Sequence, residues 1–520
     1  MMLLRSLTHV VFLVSVLPAL GAEPGSTWDP RTFGAEGDGL TLDTAAIQAA
    51  IDACAAAGGG TVRLDGGVFL SGTIRLRSHV TFWVANGATL RGSARIEDYE
   101  SITPEILYLY RDRFTKSLLY AEQQENIVLA GGGVIDGQGH QFPARPGDDG
   151  GRPYLLRFSE CRNVQVRGLT LRDSARWLSH YLACEDVTIE GVTIHSPIRE
   201  NRDGMDIDSC DRVRIANCCV VTGDDCIVLK ATTNRPCRRV TVTNCTLSSQ
   251  ASALKLGTES QGGFEDITFN NCVIHDTGGD GVAVEEVDGG VCQRINISNL
   301  VMRNVRVPLF IRLGNRANPL PDYPRPNTGQ LRDVMISNIQ ASEAGNLGCS
   351  ISGLAGHPVE NVTLQNIRIR FAGGGTAEDA ARGVPEKEAS YPKGSMFGML
   401  PAYGFYCRHV NGLRLHNLDF AFEQDESRPA LVADDVHNLD IFSLHAQHGT
   451  DTDSLVRLID VQGALVHGCQ QTRPIETFAT IAGSGSSRIA FRGNDLRGAR
   501  RITRQSADVV SNAVSLESTR

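Results

Sequence analysis

Aromatic residues are scarce: Phe, Trp and Tyr fill only 6% of the 520 positions, against 41% hydrophobic residues and 54 glycines. An interior with so few rings must be stacked from Val, Ile and Leu, and the glycines suit tight turns between short strands. Positive charge is also short. Lys and Arg number 50 against 59 Asp and Glu, a formal net charge of −9, which makes the chain a poor general partner for nucleic acid. A polyanionic ligand would have to be met by local basic residues. The 14 cysteines follow neither a compact disulfide framework nor the paired spacing of a zinc site; most are read as buried thiols, and no metal site is assigned. Gly131-Gly132-Gly133 and Gly137-Gln138-Gly139 lack the Lys-Ser/Thr helix start of a phosphate loop and are read as turns.

The first residues carry an export pattern: Arg5, an apolar run from Val10 to Leu17, and the small residues of Ala19-Leu20-Gly21-Ala22. The run is too short for an ordinary membrane span. Residues 1–22 are therefore expected to be a signal peptide, and the mature chain periplasmic or extracellular with no membrane span. Its removal takes away Arg5, leaving 49 basic against 59 acidic residues, a charge of −10.

What the chain has in abundance is a repeat. Asn163-Val-Gln-Val-Arg-Gly-Leu-Thr-Leu171 is followed by Asp186-Val-Thr-Ile-Glu-Gly-Val-Thr-Ile194 and Arg212-Val-Arg-Ile-Ala-Asn-Cys-Cys-Val220, with further units from Arg239, Asp266, Arg294, Asp333, Asn361, Gly412 and Asn438. Most starts lie 23 to 28 residues apart, with two longer intervals of 39 and 51. Alternation of period two inside a unit of this length signals a solenoid of strands, whereas a helical repeat would space its apolar residues by three and four. Asn217, Asn244, Asn271 and Asn299 recur in step, as in a side-chain ladder at one corner, with Cys218, Cys245 and Cys272 beside them. Although the length alone suggests several domains, the unbroken repeat argues for one, over residues 23–505, with a polar tail at 506–520.

Before the coil, Asp43-Thr44 can cap an Ala-rich helix over residues 44–57 that Gly58-Gly59-Gly60 ends. Such a helix would plug the open end of the solenoid. Strands are expected at residues 61–64, 68–76 and 80–84. Residues 315–329 and 373–401 interrupt the repeat and are candidate walls of a binding cleft.

Asp203 stands 22 residues before Asp225, which follows Asp224 directly. On a coil returning once per turn, the three carboxylates come together about one strand spacing, roughly 4.8 Å, apart. Carboxylates clustered on a rigid face are what acid/base cleavage of a glycosidic bond requires. Crowding raises the pKa of at least one of them, so that one is a proton donor while another remains a base.

The motifs Asn201-Arg202-Asp203-Gly204 and Gly223-Asp224-Asp225 resemble the Asn-Thr-Asp-Gly and Gly-Asp-Asp of glycoside hydrolase family 28, the polygalacturonase-like right-handed parallel β-helices. The likeness covers most of the mature chain, including Phe33-Gly34-Ala35 and the stretch from Gly132 to Gly139. It implies Asp224 as general acid, Asp203 with Asp225 as the groups that activate water, inversion at the anomeric carbon, and no cofactor. Inversion calls for an acid and base about 6.5 to 9.5 Å apart.

Two family motifs are missing. Where the family has Gly-His-Gly this chain reads Ala251-Ser252-Ala253-Leu254-Lys255-Leu256-Gly257, with Ser252 in place of His, and the Arg-x-Lys that grips substrate carboxylates becomes Ala283-Val284-Glu285. If Met205, Ile227, Leu254, Val282 and Leu309 stack inward, then Asp206, Val228, Lys255, Ala283 and Phe310 form an outward column, followed by Asp208, Lys230, Gly257, Glu285 and Arg312. Lys230, Glu285 and Arg312 then make either a surface charge ladder or a rebuilt substrate floor in which Lys255, Lys230 or Arg312 holds a uronate or sugar hydroxyls and Glu285 repels a carboxylate. Asn201 and Arg202 flank Asp203; Arg202 either binds a sugar or neutralises the cluster. Trp177 and His180, one turn earlier, are placed to stack on and hydrogen-bond a sugar. The leading expectation is an exported glycosidase acting on a pectic or related polysaccharide. The alternatives are a Ca²⁺-dependent β-helical lyase and a carbohydrate-binding β-helix without catalysis.

Overall fold

The computed structural model describes residues 26–143, 151–198 and 201–517; the expected signal peptide lies outside them. The chain winds as a parallel β-helix. Ser179–Leu182 pairs with Met205–Asp208, that strand with Ile227–Ala231, and that with Leu254–Ser260, each in parallel and each about one repeat further along the chain. The expected inward stack is formed, since Met205 pairs with Ile227, Ile227 with Leu254, Leu254 with Val282 and Val282 with Leu309. All five are buried in one apolar core that runs from Ala35 to Leu496. Register is fixed because a slip of one residue would turn this whole stack outward.

Asparagine turns the corners. Asn217, Asn244, Asn271 and Asn299 have φ of 59°, 55°, 53° and 57°, a left-handed conformation that Asn tolerates better than most residues. Their amides bond along the coil: Asn244 Nδ2 donates to Asn217 Oδ1 at 3.4 Å, Asn299 to Asn271 at 3.2 Å and Asn338 to Asn299 at 2.9 Å. All 14 cysteines are free thiols, and only Cys219 is exposed.

At the N-terminal end the helix Thr44–Ala56 buries Ala46, Ile47, Ala50, Ile51 and Cys54. Asp43 does not cap it. Its carboxylate instead accepts the amides of Glu36 at 2.8 Å and Gly37 at 3.1 Å, while Thr44 Oγ1 accepts that of Gly72 at 2.8 Å. The strand expected at 68–76 is broken into Gly67–Ser71 and Ile74–Arg75. At the other end Val514–Leu516 pairs with the strand Ser487–Arg492, so the coil continues into the segment expected to be a tail.

The outward column is largely covered. Asp206 pairs with Val228, Val228 with Lys255, Lys255 with Ala283 and Ala283 with Phe310, then onward through Ser350 and Tyr406 to Val432. Ala283, Phe310, Tyr406 and Val432 form a second apolar cluster with Met396, Phe397, Leu400 and Ala402 of the excursion after residue 373. That excursion is thus seated on the face of the coil, immediately beyond Lys255.

Candidate active site

Asp203 lies two residues before the strand Met205–Asp208, and Asp224 and Asp225 lie just before Ile227–Ala231. The Gly204 amide donates to the Asp225 carbonyl at 2.9 Å, which ties these two strand entries together. One oxygen from each of Asp203, Asp224 and Asp225 falls within 4.8 Å of the other two. Both oxygens of Asp224 are engaged, Oδ2 by the Asn201 amide at 2.7 Å and Oδ1 by the Asp225 amide at 3.0 Å. Asp225 Oδ1 accepts the Ser252 amide at 2.9 Å.

Two buried lysines balance the cluster. Lys255 Nζ lies 3.1 Å from Asp225 and 3.8 Å from Glu285. Lys230 Nζ lies 3.2 Å from Glu259, 3.6 Å from Asp206 and 3.8 Å from Asp203. Burial favours the neutral amine, but the carboxylates around each lysine outweigh it and hold both ammonium groups charged well above the usual lysine range. Burial and the neighbouring Asp224 push Asp203 well up, and burial and Asp225 push Asp224 up. Glu259 goes the other way: burial is outweighed by Lys230, Arg316 and the Tyr110 hydroxyl, and its pKa falls to about 2. Burial thus raises two of the clustered carboxyls, Asp203 and Asp224, while Glu259 is held low by its cations.

Of the other residues expected at the site, some converge there and some do not. Asn201, Trp177 and Lys230 line a cavity of about 240 Å³ together with Asp203, Asp224 and Asp225. Lys255 lines a second cavity of about 280 Å³ on the C-terminal side, which shares Asp224, Asp225 and Tyr391 with the first. His180 lines neither. It is fully buried, stacked on Tyr154 and bonded through Nε2 to Asp208 at 3.1 Å, and burial lowers its pKa to about 4. Arg202 is 1% exposed and donates to Asp173 at 2.8 Å, lining neither cavity. Glu285 is fully buried, accepts from Thr258 Oγ1 at 3.0 Å, and is raised to about 8 by burial against the pull of Lys255. Arg312 is turned to structure: it bonds Ser352, the Gly353 carbonyl and the Glu386 carbonyl, with its guanidinium over Phe397.

The surface ladder is not what forms. Lys230, Glu285 and Arg312 are each 5% exposed or less. Gly257 is not the partner of Lys230, because the strand bulges so that Leu229 pairs with Leu256 but Ala231 with Ser260. The bulge brings Glu259 to Lys230 instead. Gly257 is needed there, since its φ is 109° and a Cβ would fall 2.9 Å from that of Glu285.

Repeat spacing gave no signal for several lining residues. Tyr110, Arg113 and Phe114 come from the segment between the strands Ala88–Gly92 and Ser117–Glu122, and Arg176 is packed on the Phe114 ring at 3.1 Å. Tyr391, Lys393, Gly394 and Ser395 come from the excursion after residue 373. From the earlier excursion, Arg316 approaches Glu259 at 3.6 Å.

Residues 56–390 match the family model of glycosyl hydrolases family 28. The chain belongs to that family. A probable polygalacturonase of Vitis vinifera is 28% identical over 364 residues, covering 65% of this chain and 73% of the relative. Among solved structures, the family 28 exopolygalacturonase of Yersinia enterocolitica superposes with a TM-score of 0.63 at 21% identity, covering 83% of this chain and 79% of that one. The exopolygalacturonase of Thermotoga maritima gives 0.61 at 21%, covering 76% and 92%. As a family 28 member the chain is a polygalacturonase-like glycosidase.

In this candidate site the three carboxylates turn one oxygen each toward a common point. They thereby present a divalent cation with one oxygen each. The donor set suits Ca²⁺ poorly, because such an ion seeks about six to eight oxygens and here ammonium groups stand 3.1 and 3.8 Å from two of the three carboxylates. Lys255 is central to this balance. Removing its charge makes protonation of the carboxylates easier, so it occurs at higher pH. Lys255→Met is expected to move the acid limb of kcat/KM upward by about one to three pH units; an unmoved limb in a pH–rate profile would show that the Lys255 charge does not govern protonation of the cluster.

Proposed function

We propose that this glycosidase is exported and hydrolyses a pectic polysaccharide by single displacement. Asp224 gives its proton to the leaving oxygen while Asp203 and Asp225 hold and deprotonate the attacking water. The carrying observation is the meeting of the three carboxylates at the junction of two cavities, with lysines beside only two of them. Asp224 lines both cavities, so a bond lying over it has one sugar in each. It is also the member with no ammonium group within 4.0 Å among the described residues, which favours its holding the proton. Asp203 and Asp225 have Lys230 and Lys255 beside them, at 3.8 and 3.1 Å, on the side of the cluster assigned to the water.

The names of the relatives, polygalacturonase and exopolygalacturonase, support a pectic substrate. The family likeness supports a right-handed winding, with the helix Thr44–Ala56 as the plug of its first turn. No helix among the described residues is long and apolar enough to cross a membrane, and export rests on the pattern of residues 1–22. The reading is tested by incubating the purified protein with pectic, rhamnogalacturonan and algal polysaccharides and following the first sugar released by proton NMR. The expected product is a new reducing end of the anomer opposite to that of the cleaved bond. Retention would make one of the close carboxylates a nucleophile, and an unsaturated product absorbing in the ultraviolet would make the enzyme a lyase.

A further inference from the structure

The strand-borne Arg-x-Lys is absent, and Ala283 in its stead lies under the excursion after residue 373. Two other cations meet at the same cavity. Arg306 follows the buried Val305 and precedes the buried Val307 on the strand Val291–Leu313. Lys393 precedes Gly394 on the excursion. Gly394 and Val307 are in contact, since a Cβ on this glycine would stand 2.9 Å from the Val307 Cβ. The Gly394 amide is held by both oxygens of buried Asp280, at 3.1 and 3.0 Å, and Asp280 pairs with Val307 along the ladder. Arg306 and Lys393 are thus each one residue from a rigid contact point, and both line the 280 Å³ cavity beside Asp224 and Asp225. Both are exposed, and neither has a carboxylate within 4.0 Å among the described residues. Asp280, the acidic group beside them, already has both oxygens on Gly394.

Two cations on the wall of one cavity, neither of them ion-paired within 4.0 Å among the described residues, suit an anion from the substrate. We infer that Arg306 and Lys393 form a carboxylate clamp that binds a uronate in the C-terminal cavity, rebuilt from outside the positions that carry the clamp elsewhere in the family. This rests on the pectic reading and deepens it by assigning the free-acid form of the uronate to one side of the cleaved bond. The cations act on binding, so their contribution falls mainly on KM.

The test compares de-esterified galacturonan oligosaccharides with their methyl esters, using the wild-type enzyme and Arg306→Ala, Lys393→Ala and Lys393→Arg. The wild type is expected to prefer the free acid, with KM rising as salt is added. Each alanine variant is expected to lower the ratio of kcat/KM for acid over ester by about tenfold, through KM, and Lys393→Arg to restore most of it. Equal losses on acid and ester, or an unchanged ratio, overturn the clamp while leaving the pectic reading standing. Cleavage of a neutral polysaccharide and of neither galacturonan form by the wild type overturns both.

Discussion

Asp224→Asn is expected to lower kcat/KM on a polysaccharide by about 10³-fold, in the middle of the range for a positioned general acid. The change keeps size and leaves the coil intact, because Asp224 lies outside the inward stack. Its two oxygens accept the amides of Asn201 and Asp225, so an asparagine forfeits one of these bonds and the local cost is small beside the catalytic one. A readout separates proton donation from general disruption. An aryl glycoside with an acidic leaving group needs little help from an acid, so Asp224→Asn should retain far more of its activity on that substrate than on the polysaccharide. Asp203→Asn should be impaired on both, because water activation is needed whatever leaves. Equal impairment of Asp224→Asn on both substrates would remove the acid role from Asp224.

The wild-type pH dependence follows from the same assignment. Burial and Asp225 raise the pKa of Asp224, so its proton persists above the usual carboxylate range and is lost on the alkaline limb. Lys230 and Lys255 stand beside the two carboxylates assigned to the water, at 3.8 and 3.1 Å.

The coil, the inward stack and the outward column through Lys255 were legible in the sequence because period-two alternation permits one register only. Asp203 and Asp225 were legible for the same reason, since they occupy the same place in successive turns, and Asp224 directly precedes Asp225. Lys230 failed to fall opposite Gly257 because the bulge before Ser260 adds two residues to one strand, and a bulge leaves no mark on a repeat count. Burial of the column was illegible as well. Lys230, Glu285 and Arg312 alternate as surface residues would, and what covers this face comes from excursions that the repeat does not describe. Tyr110, Phe114 and Tyr391 belong to such segments, where spacing carries no information and only three-dimensional packing assigns a role. Arg202 and His180 sit at the right turns, but their polar atoms are drawn away by Asp173 and Asp208. Chain position fixes where a residue stands on the coil, whereas its neighbours decide which way its charge is directed.

Arg428→Met is expected to cost about 3 to 5 kcal/mol, the usual penalty for breaking a buried ion pair by removing one partner. Arg428 and Glu426 are both buried, and their paired groups approach at 2.9 and 2.7 Å. The guanidinium also donates to the carbonyls of Leu400 at 3.0 Å and Asn346 at 2.8 Å, while Glu426 accepts the Gly375 amide at 3.2 Å. Gly375 and Leu400 are the two feet of the excursion that carries Tyr391 and Lys393, so the pair fastens that excursion at its base. With Arg428 gone, Glu426 is left buried without a counter-charge, and the carbonyls of Leu400, Ala402 and Asn346 lose this donor. The loss should be concentrated at the excursion: hydrogen exchange at residues 375–400 rises sharply, the Asn-ladder turns remain protected, and KM for the polysaccharide increases. Converting both partners, as Arg428→Met with Glu426→Leu, should recover part of the stability, since the isolated charge is then removed too. If instead the single variant unfolds in urea at the wild-type midpoint with unchanged exchange, the pair is not what fastens the excursion, and the apolar seat formed by Met396, Phe397 and Leu400 holds it alone.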